Sequence, residues 1–161
     1  MTTTQKYSLL QISLHWAIAG LILVNYLVSE SMADVFDGSL EGKPIEGWTP
    51  VIHVYVGLAV LGLVAIRLVV RLTAGVPEAQ DSGHALLDRA GVWGHRLLYV
   101  LMLLVPLLGA ITWFGGIDQT ADLHVLAMNT MMIVVLIHAA AALLHQFVLR
   151  DGLLMRMISP R

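Results

Sequence analysis

The sequence predicts an all-α integral membrane protein folded as an antiparallel four-helix bundle. Of its 161 residues, 58% are hydrophobic and only 12% are charged, with a mean hydropathy of +0.80. Soluble domains are usually about 45–50% apolar and about 25% charged. The apolar residues are also gathered into four stretches, each about as long as the roughly 20 residues that cross a bilayer. Four spans joined by loops of moderate length favour a bundle.

The spans follow one another with polar loops between them, within a single domain covering 1–161. The first apolar run is too long for a signal peptide and lacks a small-residue cleavage site. The first loop, 31–50, is rich in Gly, Pro and acidic residues and has room for a short surface helix, whereas the second loop, 73–90, carries turn signals. We predict the four membrane spans at 9–29, 51–72, 92–114 and 122–149.

The placement of charge predicts how the bundle is oriented. Eight of the nine Lys and Arg residues fall on the side that both termini share: Lys6, Arg67, Arg71, Arg89, Arg96, Arg150, Arg156 and Arg161. The other side has Lys43 and seven acidic residues: Glu30, Asp34, Asp37, Glu41, Glu46, Asp118 and Asp122. Because basic residues accumulate on the cytoplasmic side, both termini are expected in the cytoplasm.

Histidines recur along the fourth span with a heptad spacing. His124, His138 and His145, together with Met131, are seven residues apart and therefore share one stripe of an α-helix. Ionisable side chains within a membrane usually face the bundle interior and mark a functional site. The predicted topology then places His15 at the depth of His138, near the inner side.

By the same topology His53 lies at the depth of His124, near the outer side. The fourteen residues between His124 and His138 span about 21 Å, which is too far for one metal ion but suits two stacked cofactors. The chain has no cysteine, which excludes iron–sulfur clusters, thiolate ligands and covalently attached haem. We therefore predict two b-type haems, an inner one on His15/His138 and an outer one on His53/His124.

Two arginines lie four residues apart on one face of the second span, at its inner end. Arg67 and Arg71 have two interpretations. They anchor the span in the headgroups by snorkelling, or they bind a cofactor, since a guanidinium matches a haem propionate or a quinone carbonyl.

The pattern gives less reason to assign the remaining histidines as cofactor ligands. His145 lies near the inner headgroups, where a helix C-terminus favours a histidine without any ligand, or it serves a quinone or propionate. It is also the only alternative partner for His15. His95, at the start of the third span, is expected at the interface, near a propionate. His84 falls in a turn-rich loop and is expected to be solvated. Met131 lies between the two predicted haems and is expected to pack in the core.

Taken together, these residues resemble the bacterial cytochrome b561 family along nearly the whole chain. The resemblance implies four spans in the bacterial inner membrane, two b haems held by His15, His53, His124 and His138, and electron exchange with ubiquinone. Some members are similar to superoxide oxidases, which take electrons from superoxide at the outer surface. The matching residues are Tyr7-Ser8, Gln11, His15-Trp16, His53, Gly57, Arg67, Arg71, Gly94-His95, Tyr99, Pro106, Gly109, His124, His138 to Ala141, His145, Asp151-Gly152 and Arg156-Met157.

A haem with two axial histidines has no open position, so electron transfer is the chemistry expected, and no catalytic residue is assigned. The donor is expected at the outer face and the acceptor is ubiquinone. The acidic outer loops weaken the case for superoxide, an anion, and suit a small cationic redox protein better. Two alternatives are a haem-b subunit of a larger dehydrogenase and a haem-free transporter or scaffold. Lipid is an expected partner and nucleic acid is not.

Overall fold

Helices make up the regular structure of the chain. A computed structural model describes residues 7–75, 77 and 85–159, and within them there is no β-strand. Lys6, His84 and Arg161 lie outside the described residues. The elements are α1 (Leu9–Leu27), α2 (Met32–Leu40), α3 (Thr49–Ala74), α4 (Ala85–Gly115) and α5 (Asp118–Leu144), followed by a π-helical turn (His145–Leu149) and a 3₁₀ turn (Leu154–Met157).

Four of these helices are long and apolar enough to cross a membrane. They are α1, α3, α4 and α5, the last extended by the π-helical turn to Leu149. The all-α architecture with four spans is therefore confirmed. The short α2 confirms the surface helix expected in the first loop. It packs against α3, and its Phe36 ring is buried. We call the two ends of the bundle the α2 end and the terminal end, the latter holding the first and last described residues.

Local sequence explains where the helices begin and end. In α1, the Ser8 hydroxyl accepts the Gln11 N–H and the Gln11 side chain accepts the Ser8 N–H, which forms a capping box. In α3, Pro50 stands in the first turn, where its missing N–H costs no helical hydrogen bond. The same helix ends at Gly75, whose φ of 71° lies in the left-handed region.

The helix α4 begins at Ala85, seven residues before the predicted span. Hydropathy marks only the part of a helix that crosses the apolar layer, whereas the helix itself continues through the amphipathic residues 85–91. As a result, His95 lies about three turns into α4 instead of at its start.

Neighbouring spans pack in the order α1, α3, α4, α5. One buried cluster joins the first three through Ile18, Val60 and Val64, and a second joins α4 to α5. Most other large apolar side chains are exposed on the outside of the bundle, where lipid tails cover them. The second cluster consists of Leu101, Val105, Ala127 and Met131, so the predicted core packing of Met131 is confirmed.

Polar side chains tie three spans together at the terminal end. The Arg67 Nε donates to the Tyr99 hydroxyl and its Nη1 to the Gln11 carbonyl, both at 3.1 Å. Gln11 in turn donates to the Gly75 carbonyl at 2.9 Å. Arg71 stacks on the Tyr99 ring with its guanidinium carbon 5.5 Å from the centroid. Arg67 therefore does more than anchor α3 in the headgroups, because it links α3 to both α1 and α4.

Replacing Tyr99 with Phe tests this link. The change keeps the ring beneath Arg71 and removes only the hydroxyl that accepts from Arg67. Interhelical hydrogen bonds in membranes contribute about 0.6 kcal/mol on average, so we expect a loss of that size in the free energy of unfolding. Tyr55→Phe, at a ring 69% exposed on α3, is the matched control. Equal stability of the two variants in detergent would contradict a role for the bond.

Candidate functional site

Four histidines meet in two pairs, one at each end of the bundle. At the α2 end, the rings of His53 on α3 and His124 on α5 have centroids 6.2 Å apart and planes at 83°. At the terminal end, the rings of His15 on α1 and His138 on α5 have centroids 6.3 Å apart and planes at 69°. These are the same two pairs of histidines for which the sequence predicts equal depth in the membrane.

The separation within each pair has a chemical meaning. Two imidazoles on opposite sides of one metal ion need centroids about 6 Å apart, since each metal–nitrogen bond is about 2 Å and each ring nitrogen lies about 1 Å from its ring centre. Hydrogen-bonded rings would lie closer than this. No hydrogen bond joins the rings of either pair within the described residues. Both separations therefore fit two ligands of one metal ion and are too wide for a hydrogen bond between the rings.

The α2-end pair borders a cavity of about 560 Å³. Its volume lies within the range of about 300–1,000 Å³ that is usual for cofactor and ligand sites. Besides His53 and His124, the cavity wall includes Gly57, Gly109 and Met131. Small residues on facing helices leave room for a flat ring system, and Met side chains fill irregular gaps beside one.

The orientation of His124 is fixed from α4. Its Nδ1 lies 2.8 Å from the Val105 carbonyl oxygen, which can only accept, so Nδ1 carries the proton and Nε2 is left as the ligating nitrogen. The ring reaches this position because Gly109 has no side chain. A Cβ at Gly109 would lie 2.9 Å from the Cε1 atom of His124.

Among the described residues, one buried polar atom at the same cavity lacks a hydrogen-bond partner. It is the Oδ1 of Asn25, a residue of α1 that borders the cavity. A buried polar atom without a partner is costly in an apolar surrounding, so such atoms point to a site that binds something. Asn25 was not among the residues singled out from the sequence. A lone Asn in an apolar span was the only signal that could have found it.

At the terminal end a third ring approaches the pair. The His95 ring centroid lies 5.1 Å from that of His138, closer than that of His15. The His95 Nδ1 donates to the Gly91 carbonyl at 2.7 Å, which leaves its Nε2 available. His95 therefore lies beside the histidine pair with an exposed side chain. Arg67 and Arg71 lie on α3 at this end and both contact Tyr99.

Beyond this pair, α5 continues into the π-helical turn, where His145 contacts Asp151. The His145 Nδ1 donates to the Asp151 Oδ2, and both side chains are 16% exposed. Burial acts to raise the pKa of Asp151, but hydrogen bonds from His145 and the Leu153 N–H outweigh it and hold that pKa below its ordinary value of 3.8. The carboxylate is therefore ionised at neutral pH. The sequence placed His145 at this end but gave no partner for it.

The described residues contain no group of three or more His, Asp or Glu side chains able to hold a bare metal ion. Each histidine pair supplies only two ligands. A pair of this kind suits a metal that brings its other ligands with it, as iron does in a porphyrin.

Comparison with known proteins decides the family. The family model described as prokaryotic cytochrome b561 matches residues 6–160. The chain belongs to this family. Along its full length it is 46% identical to a protein named cytochrome b562 from Cereibacter sphaeroides, which it also covers in full. It is 27% identical to a probable superoxide oxidase, CybB, from Yersinia pestis, with 96% of each chain aligned.

Cytochrome b561 proteins are haem b proteins, and this member is a multi-pass bacterial membrane protein that transfers electrons. The residues at the α2 end fit such a group. They provide a cavity of suitable volume, an oriented Nε2 on His124 and the His53 ring with its centroid 6.2 Å from that of His124.

Replacing Gly109 with Ala tests the fit at the α2 end. The new methyl group would displace the His124 ring from the Val105 carbonyl, so we expect the variant to purify with less haem than the wild-type protein. Gly62→Ala is the control, since a Cβ there meets no atom within 4 Å. Haem per chain is measured from the pyridine haemochrome spectrum. Equal haem content in the two variants would show that the close approach of Gly109 and His124 has no bearing on the cofactor.

Proposed function

We propose that the chain carries two haems b and passes electrons from a donor at the outer membrane face to ubiquinone. The observation that carries the proposal is the recurrence, at both ends of the bundle, of two histidine rings about 6 Å apart. One pair alone would be compatible with a single redox centre near one surface. Two pairs, each with one histidine on α5 and about 21 Å apart along that helix, form a path across the bilayer.

The proposed ligands of the outer haem are His53 and His124, and those of the inner haem are His15 and His138. Bound haem would supply one-electron chemistry at each of these pairs. The Val105 carbonyl orients His124, and His95 and the two arginines Arg67 and Arg71 surround the inner pair with donors suited to propionates or a quinone oxygen.

The distribution of charge supports placing the α2 end outside a bacterial inner membrane. Among the described basic residues, the α2 end has Lys43 alone. The others lie toward the terminal end, which we accordingly assign to the cytoplasm. They are Arg67, Arg71, Arg89, Arg96, Arg150 and Arg156.

Spectroscopy of ligand variants tests the two-haem proposal. We expect the purified wild-type protein to contain two haems per chain, and His53→Ala or His15→Ala to retain one. The haem left in each variant differs, so the reduced α-bands of the two variants should add up to that of the wild-type protein. A wild-type content near one haem, or both haems retained in a variant, would refute the ligand assignment. Absence of haem from the wild-type protein would instead support a transporter or scaffold.

The charge at the mouth of the cavity distinguishes between the possible electron donors. Four acidic residues border it: Glu30, Asp37, Asp118 and Asp122. Lys43, the basic residue at this end, is paired with Glu41 at 2.6 Å. A superoxide anion would meet a negative field there, whereas a cationic protein would be attracted. The name of the 27% identical relative supports superoxide, but the charge of this chain favours a small basic redox protein.

Reduction kinetics distinguish the two donors. We expect reduced cytochrome c, used as a basic probe, to reduce the haems at a rate that falls with ionic strength, because salt screens the attraction. Asp118→Asn with Asp122→Asn should lower that rate about tenfold. Asp34→Asn, at an exposed position of α2 away from the cavity wall, is the control. Rapid reduction by superoxide that accelerates in the double variant would favour superoxide as the donor.

A further inference from the structure

One face of α4 is turned away from the neighbouring spans. Arg89, Trp93 and Arg96 lie three and four residues apart, so they share one stripe of the helix, and all three side chains are exposed. The buried residues of α4, among them Leu98 and Val105, lie on the opposite side, where α3 and α5 pack. The stripe therefore faces lipid or the membrane surface.

The same stripe continues as an apolar surface farther along α4. Steps of three or four residues lead from Arg96 to further exposed side chains, which are Val100, Leu104, Leu107 and Ile111. The distance from Val100 to Ile111 along the axis is about 16 Å at 1.5 Å per residue. This is close to half of the roughly 30 Å hydrocarbon core of a bilayer, the depth that an acyl chain of one leaflet spans. We call these seven residues together the exposed stripe of α4.

The Arg96 guanidinium is held in place at the polar end of the exposed stripe. Its central carbon lies 4.8 Å from the centroid of the Trp93 ring, and Trp93 is 65% exposed. Guanidinium groups stack on aromatic faces and bind phosphate through paired N–H donors. Stacking leaves the N–H groups at the edge of the guanidinium free for an anion and fixes where they lie. A residue that only anchored the helix in the headgroups would need no such platform.

The charge at this end of the exposed stripe is positive. Within the described residues, no carboxylate forms an ion pair with Arg89 or Arg96. The nearest acidic residue on α4, Asp88, lies about 100° around the helix from Arg89. By contrast, Arg67 on α3 already donates to the Tyr99 hydroxyl. An anion at the exposed stripe would therefore meet two guanidinium groups that no described carboxylate neutralises.

We propose that the exposed stripe of α4 binds one anionic phospholipid, with its phosphate at Arg89, Trp93 and Arg96 and an acyl chain along the apolar part. A phospholipid joins an anionic group to an apolar chain in the same order as the basic and apolar parts of the stripe. A soluble phosphate would leave the apolar part uncovered. A second copy of this chain, packed through the same stripe, would bring like charges together across a two-fold interface, which repulsion disfavours. The site is separate from the histidine pairs and does not depend on the proposed function.

Native mass spectrometry of the full chain tests the lipid site. Protein purified in detergent is titrated with dioleoylphosphatidylglycerol or with the zwitterionic dioleoylphosphatidylcholine, and the complex with one lipid is measured. We expect the wild-type protein to prefer phosphatidylglycerol. Each basic residue near a membrane surface contributes about fivefold to the binding of an anionic lipid, so Arg96→Gln should lower the affinity about fivefold and Arg89→Gln with Arg96→Gln about 30-fold. Arg150→Gln, which removes an exposed arginine at the same end of the bundle but outside α4, is the matched control.

Two further variants separate a built site from general attraction by charge. Arg96→Lys keeps the charge but loses the paired donors, and Trp93→Leu removes the stacking platform, so both should bind phosphatidylglycerol more weakly than the wild-type protein. Equal affinity of the wild-type protein for the two lipids, or a double variant that binds as well as Arg150→Gln, would overturn the proposal. A dimer that forms without lipid and is lost in Trp93→Leu would assign the stripe to a second copy and overturn it as well. If the double variant does not fold, the two single glutamine variants are compared with Arg150→Gln by the same criterion.

Discussion

Imidazole rings in a lipid bilayer must have a partner for their nitrogens, and this requirement organises the bundle. Water is absent from the apolar layer, so each unpartnered ring nitrogen there costs free energy. The chain places these rings in pairs on different helices. The rings of each pair are at a separation that suits two ligands of one metal ion and is too wide for a hydrogen bond between them. Each pair draws two spans toward one point, and α5 contributes to both pairs.

Much of this arrangement could be predicted from the sequence because it is expressed as periodicity and depth. The heptad spacing of His124 and His138 predicts that both lie on one face of one helix. The predicted topology then identifies His53 and His15 as the histidines at matching depth. The number of spans follows from hydropathy alone, since lipid tolerates few structures other than complete helices. The family resemblance rests on the same residues, and the match over 6–160 bears it out.

Features that depend on approach between helices could not be predicted in this way. Gly109 looks like any glycine of a membrane span, and only the packed structure shows that the His124 ring occupies the space of its missing side chain. Hydropathy marks the part of a helix that crosses the bilayer and not the whole helix, so the start of α4 at Ala85, inside the predicted loop 73–90, could not be predicted in this way. Asp151 lies in a loop in sequence, and its contact with His145 depends on a backbone reversal that no periodicity reveals.

The π-helical turn affects where in α5 a residue can be deleted. Such a turn holds one residue more than the α-helical turn it replaces. The extra residue is absorbed within the wider turn, so a residue deleted from 146–149 would let α5 continue as a regular helix and leave the chain beyond it in nearly the same orientation. A residue deleted between His124 and His138 would instead rotate these two side chains by about 100° relative to each other around the helix axis. The last turn of α5 therefore tolerates a change of length that the segment between the two histidine pairs does not.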